Sequence, residues 1–252
     1  RNRVIIMADR EDVQPPEYPV PTHTDDNALT ITEAISDLIQ DEKVKEDVFV
    51  GLTDYQLDSI NGRTPDINGN KISSKGVIKN NELSRHLPII KERFSLFREG
   101  EDGSALRSRI INEGINISNK PELVKHVVAK SNYDSAKVIK KFRDADVDTS
   151  LIDILLTKKN IRTRLDRTKP SATVMTIADD YISPFEPRTF TVRELARIQS
   201  FDDSFEFLGK RTTGGLRRRV EVPQYSQVGN AVPPLLAKAV AAQIIKANEL
   251  NN

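Results

Sequence analysis

The chain has 252 residues, and its 38 basic and 37 acidic side chains nearly cancel to a net charge of +1. Apolar residues make up 37% of it, enough for one large or two small domains with a modest core. Cysteine is absent, which excludes disulfides, thiolate metal sites and a cysteine nucleophile within this chain. The three histidines, His23, His86 and His126, are far apart and lack metal-ligand spacing, so we expect no metal site.

The charges are unevenly distributed along the chain. Residues 1–60 carry 5 basic and 14 acidic side chains, whereas residues 61–252 carry 33 and 23. The basic excess marks where a polyanion would dock, although two ordinary surfaces of opposite sign explain the same pattern. No signal peptide and no apolar run long enough to cross a bilayer is visible, which predicts a cytoplasmic protein without membrane contact.

The N-terminal part begins with an apolar segment, residues 3–8, that predicts a buried strand. A strand so short of partners suggests that residues preceding Arg1, or another chain, complete its sheet. After a proline-rich loop, Thr30 and Glu33 form a capping-box pattern, and the apolar spacing behind them predicts a helix over residues 31–40. Residues 41–60 give no clear periodicity.

Residues 61–81 are rich in glycine and asparagine, and they predict turns and a boundary between two lobes. Apolar spacing then predicts helices over residues 84–98, 121–130, 134–143 and 148–157. The last three are short and consecutive, which is compatible with a relative of the helix-turn-helix motif.

The C-terminal part contains two basic segments, residues 158–169 and 210–219. Between them, residues 172–178 favour a strand, and residues 191–201 form a helix that begins with a second capping box. The last helix is predicted to begin near Pro233, because proline fits the first turn.

Two C-terminal stretches carry a family resemblance. Residues 187–201, and Gln-Val-Gly-Asn-Ala-Val-Pro-Pro at residues 227–234, resemble the last two conserved blocks of the DNA cytosine-5 methyltransferases. Residues 1–6, 21–38 and 170–174 are similar, in the right order, to three earlier family segments: the Gln-x-Arg-x-Arg block, the stretch before the target-recognition domain, and a short strand of that domain. One departure is Asp202, which stands where the family usually has proline.

The resemblance implies an α/β fold class. We expect the C-terminal part of a Rossmann-like, S-adenosylmethionine-dependent methyltransferase lobe plus a mixed α+β target-recognition domain. The implied division is residues 1–60 as the end of the catalytic lobe and linker, 61–185 as the target-recognition domain, 186–223 as the hinge, and 224–252 as a closing helix on the cofactor side.

The family's glycine-rich cofactor loop, Pro-Cys nucleophile and Glu-Asn-Val acid are absent. The chain therefore resembles the C-terminal half of such an enzyme, and alone it is predicted to be inactive. Its expected partners are double-stranded DNA and the missing N-terminal catalytic half, in the same polypeptide or a separate chain. The alternative is a non-enzymatic or catalytically dead DNA-binding module used for specificity or regulation.

The resemblance also implies roles in the reaction. The family adds a cysteine thiolate to C6 of a flipped cytosine and methylates C5 from S-adenosylmethionine. By resemblance, Arg3 contacts the flipped base with Arg1 as its neighbour, and Gly229, Asn230 and Ala231 line the cofactor pocket. Without the resemblance, the two arginines would merely flank a strand, and Asn230 would cap a helix.

The implied DNA contacts are Thr173, at a phosphate near the flipped nucleotide, and arginines of the two basic segments. Arg162 and Arg164 fall where the family carries base-reading loops, so they are expected to meet guanine edges or phosphates. Arg217 and Arg218 are expected to form a phosphate clamp or a solvated face.

The helix at residues 191–201 is expected to be scaffold. Arg193, Glu194 and Arg197 are interpreted as salt-bridge partners joining a DNA-reading lobe to a catalytic lobe, and not as catalysts.

Overall fold

The computed structural model describes residues 5–24, 26–157, 162–212 and 220–250. Within them the chain forms helices and a minimal sheet, a mixed α/β composition dominated by helix. The helices are α1 (Ile31–Ile35), α2 (Glu42–Val48), α3 (Asp54–Asn61), α4 (Pro88–Phe94), α5 (Gly103–Asn112), α6 (Pro121–Lys130), α7 (Ser135–Arg143), α8 (Thr149–Leu156), α9 (Val192–Ile198), α10 (Gln224–Asn230) and α11 (Pro234–Leu250). Short 3-10 turns cover Ser36–Leu38 and Ala178–Asp180, and the strands are β1 (Thr163–Arg164) and β2 (Tyr181–Ile182).

Side-chain caps define where most of these helices begin. The predicted capping boxes at Thr30 and Thr191 are confirmed, and a third, at Thr53, begins α3 within the segment that lacked periodicity. Asp41, Asp102, Asp134 and Asp148 cap α2, α5, α7 and α8. Each cap supplies an acceptor to a backbone N–H that has no partner within the helix.

The structure corrects one helix prediction and adds a helix, α5, that was not predicted. The helix predicted over residues 84–98 begins only at Pro88, and its cap residue, Leu87, makes no side-chain bond. Proline is favourable at this first helical position, because it has no N–H to satisfy and its φ is already helical. Helix α5 was not predicted, because Gly103 interrupts the apolar pattern; the Asp102 carboxylate starts it by accepting from the N–H of Ala105 at 2.8 Å.

The sheet is smaller than predicted. Residues 5–8 belong to no strand, the rest of that predicted strand lies outside the described residues, and residues 172–177 form none either. The only strand pairing between named strands in the described part is parallel, Thr163 with Tyr181 and Arg164 with Ile182. A strand needs neighbours to satisfy its backbone, and the described residues supply none for these two segments. A Rossmann-like sheet is therefore not among the described residues.

Two hydrophobic cores organise the molecule. The first is built by α4 to α8, with Phe94, Phe142 and Leu155 at its centre and Ile182 of β2 joining it. The second gathers residues that are distant in sequence, from α1, from the loop residues before and after β2, and from α9 and α10. Leu165, next to β1, belongs to the second core, so the two-stranded sheet lies where the cores meet.

The second core draws residues from all four predicted segments of the chain. Ile31, Val174, Phe190 and Val228, one from each segment, all belong to it. The buried apolar residues within 31–39, 165–174, 185–207 and 225–228 thus pack together, whereas the helices α4 to α8 and Ile182 form the other core. The proposed division at residues 60, 185 and 223 stays a prediction.

Helix α11 has little covering, with Ala247 as its buried residue. By length and composition, Gln224–Leu250 contains a window apolar enough to cross a membrane, of mean hydropathy 1.3 and 11% buried. This corrects the expectation that no such run exists, although a single segment of this kind is weak support for a membrane span. Residues 231–233, which include Pro233, interrupt it between α10 and α11.

Candidate functional site

A cavity of about 580 Å³ lies beside the second core. Its walls come from α1, from residues 171–174, from the end of α9 and from the junction of α10 with α11. Thr173 and Gly229, predicted from separate stretches of sequence, both line this cavity. The fold therefore brings one predicted DNA-contacting residue and one predicted cofactor residue to the same place.

Gly229 allows α10 to approach the wall of this cavity closely. A Cβ at this position would lie 2.7 Å from the carbonyl oxygen of Met175 and 2.9 Å from the nitrogen of Thr176. Real Cβ atoms essentially never come so close to backbone, so only glycine fits here. Ser226, one turn earlier, donates its hydroxyl to the Thr176 carbonyl at 3.3 Å and fixes the same contact.

Asn230 and Ala231 follow at the end of α10. Asn230 is the last residue of that helix, and the N–H of Ala231 closes it by donating to the carbonyls of Gln227 and Val228. The interpretation of Asn230 as a helix N-cap is therefore wrong. Gln199, at the end of α9, donates its side-chain amide to the Ala231 carbonyl at 2.9 Å and joins the two helices.

Thr173 lies on the same cavity, partly exposed. The Tyr181 hydroxyl donates to the Thr173 carbonyl at 2.9 Å, so β2 fixes the backbone of the threonine. Burial raises the pKa of Tyr181, which keeps the phenol protonated and able to donate.

Arg162 and Arg164 are engaged within the chain. The Nε of Arg162 donates to the Asp179 carbonyl at 2.9 Å, and its guanidinium lies 4.9 Å from the ring centre of Phe94. Arg164 donates to the carbonyls of Phe97 and Pro184 at 3.1 and 2.9 Å. Both arginines thus fasten β1 to its surroundings, and DNA would have to compete with these bonds. Their DNA contact stays a prediction.

The remaining predicted site residues, Arg1, Arg3, Arg217 and Arg218, lie outside the described residues. Their roles stay predictions. Within the described ranges, no group of three or more histidine, aspartate or glutamate side chains could hold a metal ion.

Helix α9 is held by buried ion pairs on both sides. Arg197 and Asp203 are fully buried partners, and Arg197 also pairs with Asp37 beyond α1. Arg193, equally buried, donates to the Lys79 carbonyl at 2.9 Å and lies 3.9 Å from Asp203. Asp37 and Lys79 precede α9 by more than 110 residues, so these arginines join three separate stretches of chain.

Glu194 completes this network at the start of α9. Its carboxylate accepts from the N–H of Thr191 at 2.7 Å and from Arg188 at 2.8 Å, and Arg188 also pairs with Glu186. Burial lowers the pKa of Arg188, but the two carboxylates outweigh burial and raise it above its ordinary value. The ion pairs predicted for Arg193, Glu194 and Arg197 are present, and each serves to position the helix.

With this geometry defined, comparison with known proteins identifies the family. The family model of the C-5 cytosine-specific DNA methylases matches residues 1–246. The chain belongs to the C-5 cytosine-specific DNA methylase family. Several proteins that it resembles are type II methyltransferases.

The type II methyltransferases that it resembles differ greatly in length. M.AquIB of Picosynechococcus is 40% identical over 126 residues, which cover 48% of this chain and 91% of that protein. M.DdeI of Desulfomicrobium norvegicum is 52% identical over 77 residues, 30% of this chain and 18% of that protein. M.AgeI of Thalassovita gelatinovora is 26% identical over 246 residues, 86% of this chain and 51% of that protein. The chain thus spans about half or less of the two longer relatives.

Asp202, the departure from the usual proline of this methylase family, has a structural role. Its carboxylate accepts from the backbone N–H groups of Arg63 and Thr64 at 3.0 and 2.9 Å, and from the Thr64 hydroxyl. The Arg63 Nε lies 3.1 Å from the same carboxylate. Asp202 therefore anchors the turn after α3, a contact that proline could not make.

Two residues that line the cavity beside the second core were not among the predicted site residues. Gln199 lines it and holds Ala231, and Tyr55 lines it while its hydroxyl donates to the Arg197 carbonyl. Gln199 was visible as a polar residue at the end of an apolar stripe, which could have indicated it. Nothing near Tyr55 in sequence points to a partner 142 residues away.

Proposed function

We propose that this chain is the DNA-recognising, C-terminal part of a DNA cytosine-5 methyltransferase, which methylates C5 of a flipped cytosine in a specific DNA sequence. The observation that carries the proposal is a family match over residues 1–246 in a chain without cysteine. Family chemistry needs a thiolate to add to cytosine C6. A different segment or chain must therefore supply the nucleophile.

The cavity beside the second core supports a place for the methyl donor. Its volume of about 580 Å³ lies within the range of small-molecule sites, and its walls are mostly apolar with a few polar groups. We assign Gly229, Asn230 and Ala231 to the side of this cavity that receives S-adenosylmethionine, which supplies the methyl group. The Gly229 contact with Met175 and the Gln199 bond to Ala231 hold these residues in place.

Thr173 links this cavity to DNA binding. Its hydroxyl-bearing side chain is partly exposed, and Tyr181 fixes its backbone, as a phosphate contact requires. We assign phosphate contacts also to Arg217 and Arg218, and we keep Arg162 and Arg164 as DNA contacts that would exchange their internal bonds. Arg3, supported by Arg1, is assigned to the flipped cytosine.

Methyl transfer from isotope-labelled S-adenosylmethionine to DNA tests the proposal. The chain alone should transfer nothing, whereas its mixture with a polypeptide carrying the family's Pro-Cys block should label cytosine. A Cys→Ser variant of that second polypeptide is the control and should abolish labelling. Transfer by this chain alone would overturn the assignment.

The transfer assay, combined with a measurement of duplex binding, distinguishes the proposed function from the alternative, a DNA-binding module without catalysis. If the chain binds duplex DNA with a steep loss of affinity in salt, yet no Pro-Cys partner restores transfer, the binding module is correct. The family match over nearly the whole chain favours the methyltransferase.

A further inference from the structure

A second cavity, of about 620 Å³, opens on the surface of the helical core, away from the site described above. Helices α4, α6 and α8 form it. Its basic lining residues are Arg93, His126 and Lys130, and the hydroxyls of Thr149 and Ser150 stand beside them. Cations and hydroxyls together are the groups that proteins use to bind phosphate oxygens.

Arg93 is the decisive residue of this cavity. The residue is 7% exposed, yet it forms no ion pair with any carboxylate among the described residues. Its Nε donates to the Leu155 carbonyl at 2.7 Å, whereas its other two guanidinium nitrogens bond no acceptor in the described part of the chain and stay open to solvent. A buried charge normally has a charged partner, because desolvation is costly. The Leu155 carbonyl, near the end of α8, accepts from one guanidinium nitrogen of Arg93, but no carboxylate in the described part of the chain balances its positive charge.

The neighbouring groups add to this excess of positive charge. Lys130 also has no ion pair in the described part of the chain. Asp153, the one acidic group lining the cavity, is matched by Arg107, with 2.6 Å between Oδ1 and the guanidinium. Burial, and then the charges of Arg93 and Lys130, lower the pKa of His126, as expected where cations converge without an anion.

We propose that this cavity binds a phosphate group, held by the free guanidinium nitrogens of Arg93, by Lys130 and by the Ser150 hydroxyl. A DNA backbone phosphodiester and a free phosphate share this chemistry. The DNA source rests on the proposed function, because it requires that the chain binds duplex DNA. A backbone phosphate at this cavity would mean that the helices α4 to α8 contact the DNA.

The His126 imidazole reports on the site directly, because a bound anion should raise its pKa. NMR titration of the histidines in the full chain is performed in chloride, in inorganic phosphate and with a short DNA duplex. Phosphate is expected to raise the pKa of His126 by roughly one unit and leave that of His23 unchanged. An unchanged His126 in both phosphate and duplex would overturn the site.

Two matched variants on α6 test the charge. Lys130→Gln removes a cavity cation, whereas Lys125→Gln removes an exposed cation of the same helix outside it. Lys130→Gln should weaken duplex binding at least threefold more than Lys125→Gln and reduce its salt dependence by about one phosphate contact. Equal effects of the two variants would overturn a DNA contact at this cavity.

Comparing the histidine titrations in inorganic phosphate and with the DNA duplex identifies the source of the bound phosphate. A shift of His126 by duplex supports the DNA backbone, whereas a shift by inorganic phosphate alone overturns that part and leaves a free-phosphate site. Failure of the proposed function looks different, since the chain would then bind no duplex while phosphate still shifts His126.

Discussion

Arg197 and Asp203 form an ion pair in which both side chains are fully buried, across the C-terminal end of α9. The same guanidinium also pairs with Asp37, in the 3-10 turn Ser36–Leu38. One arginine thereby ties the end of α9 to the loop that follows it and to the 3-10 turn after α1. The pair is a structural clamp of the second core, and its energetics can be measured.

We expect Arg197→Met to lower the free energy of unfolding by about 3 to 5 kcal/mol, because it leaves the buried carboxylate of Asp37 unpaired and leaves Asp203 with the more distant Arg193 alone. Urea unfolding followed by circular dichroism measures this loss. Lys79→Gln is the control: its ion pair with Glu206 is about half exposed, and such pairs contribute about 0 to 1 kcal/mol. A loss for Arg197→Met no greater than for the control would contradict the clamp.

The sequence predicted the parts of the fold that depend on local interactions. Capping boxes at Thr30 and Thr191 each involve residues three apart, so the pattern of a few letters identifies them. The bounds of α6 and α7 follow from apolar periodicity in the same way. The features that the sequence did not predict depend on contacts between residues far apart in the chain. Examples are the hydrogen bond from the Tyr55 hydroxyl to the Arg197 carbonyl and the one from the Arg63 N–H to the Asp202 carboxylate.

The candidate site shows the same division. The segment containing Gly229 was predicted from its resemblance, but its contact with Met175 explains physically why glycine is needed there. Arg162 and Arg164 were expected to contact DNA because the resemblance places them where the family carries base-reading loops, and spacing cannot reveal the backbone carbonyls that accept from them. Strand predictions failed for residues 5–8 and 172–177 because apolar composition does not supply a pairing partner.

Gly229→Ala should destabilise the chain by about 1 to 3 kcal/mol, because the new Cβ would force α10 away from the Met175 carbonyl. It should also weaken methyl transfer by the complete enzyme, since the displaced helix carries Asn230, which we assign with Ala231 to the cofactor side of the cavity. Thermal unfolding and the labelled-methyl assay measure the two effects.

Gly69→Ala is the matched control for that substitution. Gly69 has a φ of +81° with open space around it, so alanine there should cost roughly 1 to 2 kcal/mol for backbone strain alone. Methyl transfer should be unchanged in this variant. Equal losses of transfer in the two variants would argue against a special role for the cavity wall.

Tyr225 makes stability depend on alkaline pH. Burial raises its pKa from 10.0 to about 12, and its hydroxyl donates to the Phe190 carbonyl at 2.7 Å. The folded chain therefore holds the phenolic proton more tightly than the unfolded chain does. The contribution of Tyr225 to the free energy of unfolding is complete below about pH 10 and is lost as the pH rises towards 12.

Tyr225→Phe should reduce the fall in stability between pH 10 and 12, and at neutral pH it should cost about 1 to 2 kcal/mol for the unsatisfied Phe190 carbonyl. Urea unfolding at a series of pH values measures both. Tyr18→Phe, at an exposed position, is the control and should leave the profile unchanged. An unaltered alkaline profile in Tyr225→Phe would contradict the buried titration.

A substitution at Arg164 can distinguish a structural role of this side chain from a role in reading DNA bases. Arg164→Lys keeps the charge, but lysine cannot donate to the Phe97 and Pro184 carbonyls together, so we expect a loss of about 1.5 to 3 kcal/mol in stability. Arg143→Lys, where the arginine is largely exposed beside Asp144, should cost less than 1 kcal/mol. If Arg164 fastens β1, the folded lysine variant keeps its preference among DNA sequences in a competition binding assay. A lost preference at unchanged stability would show instead that its guanidinium leaves the two carbonyls to read a base.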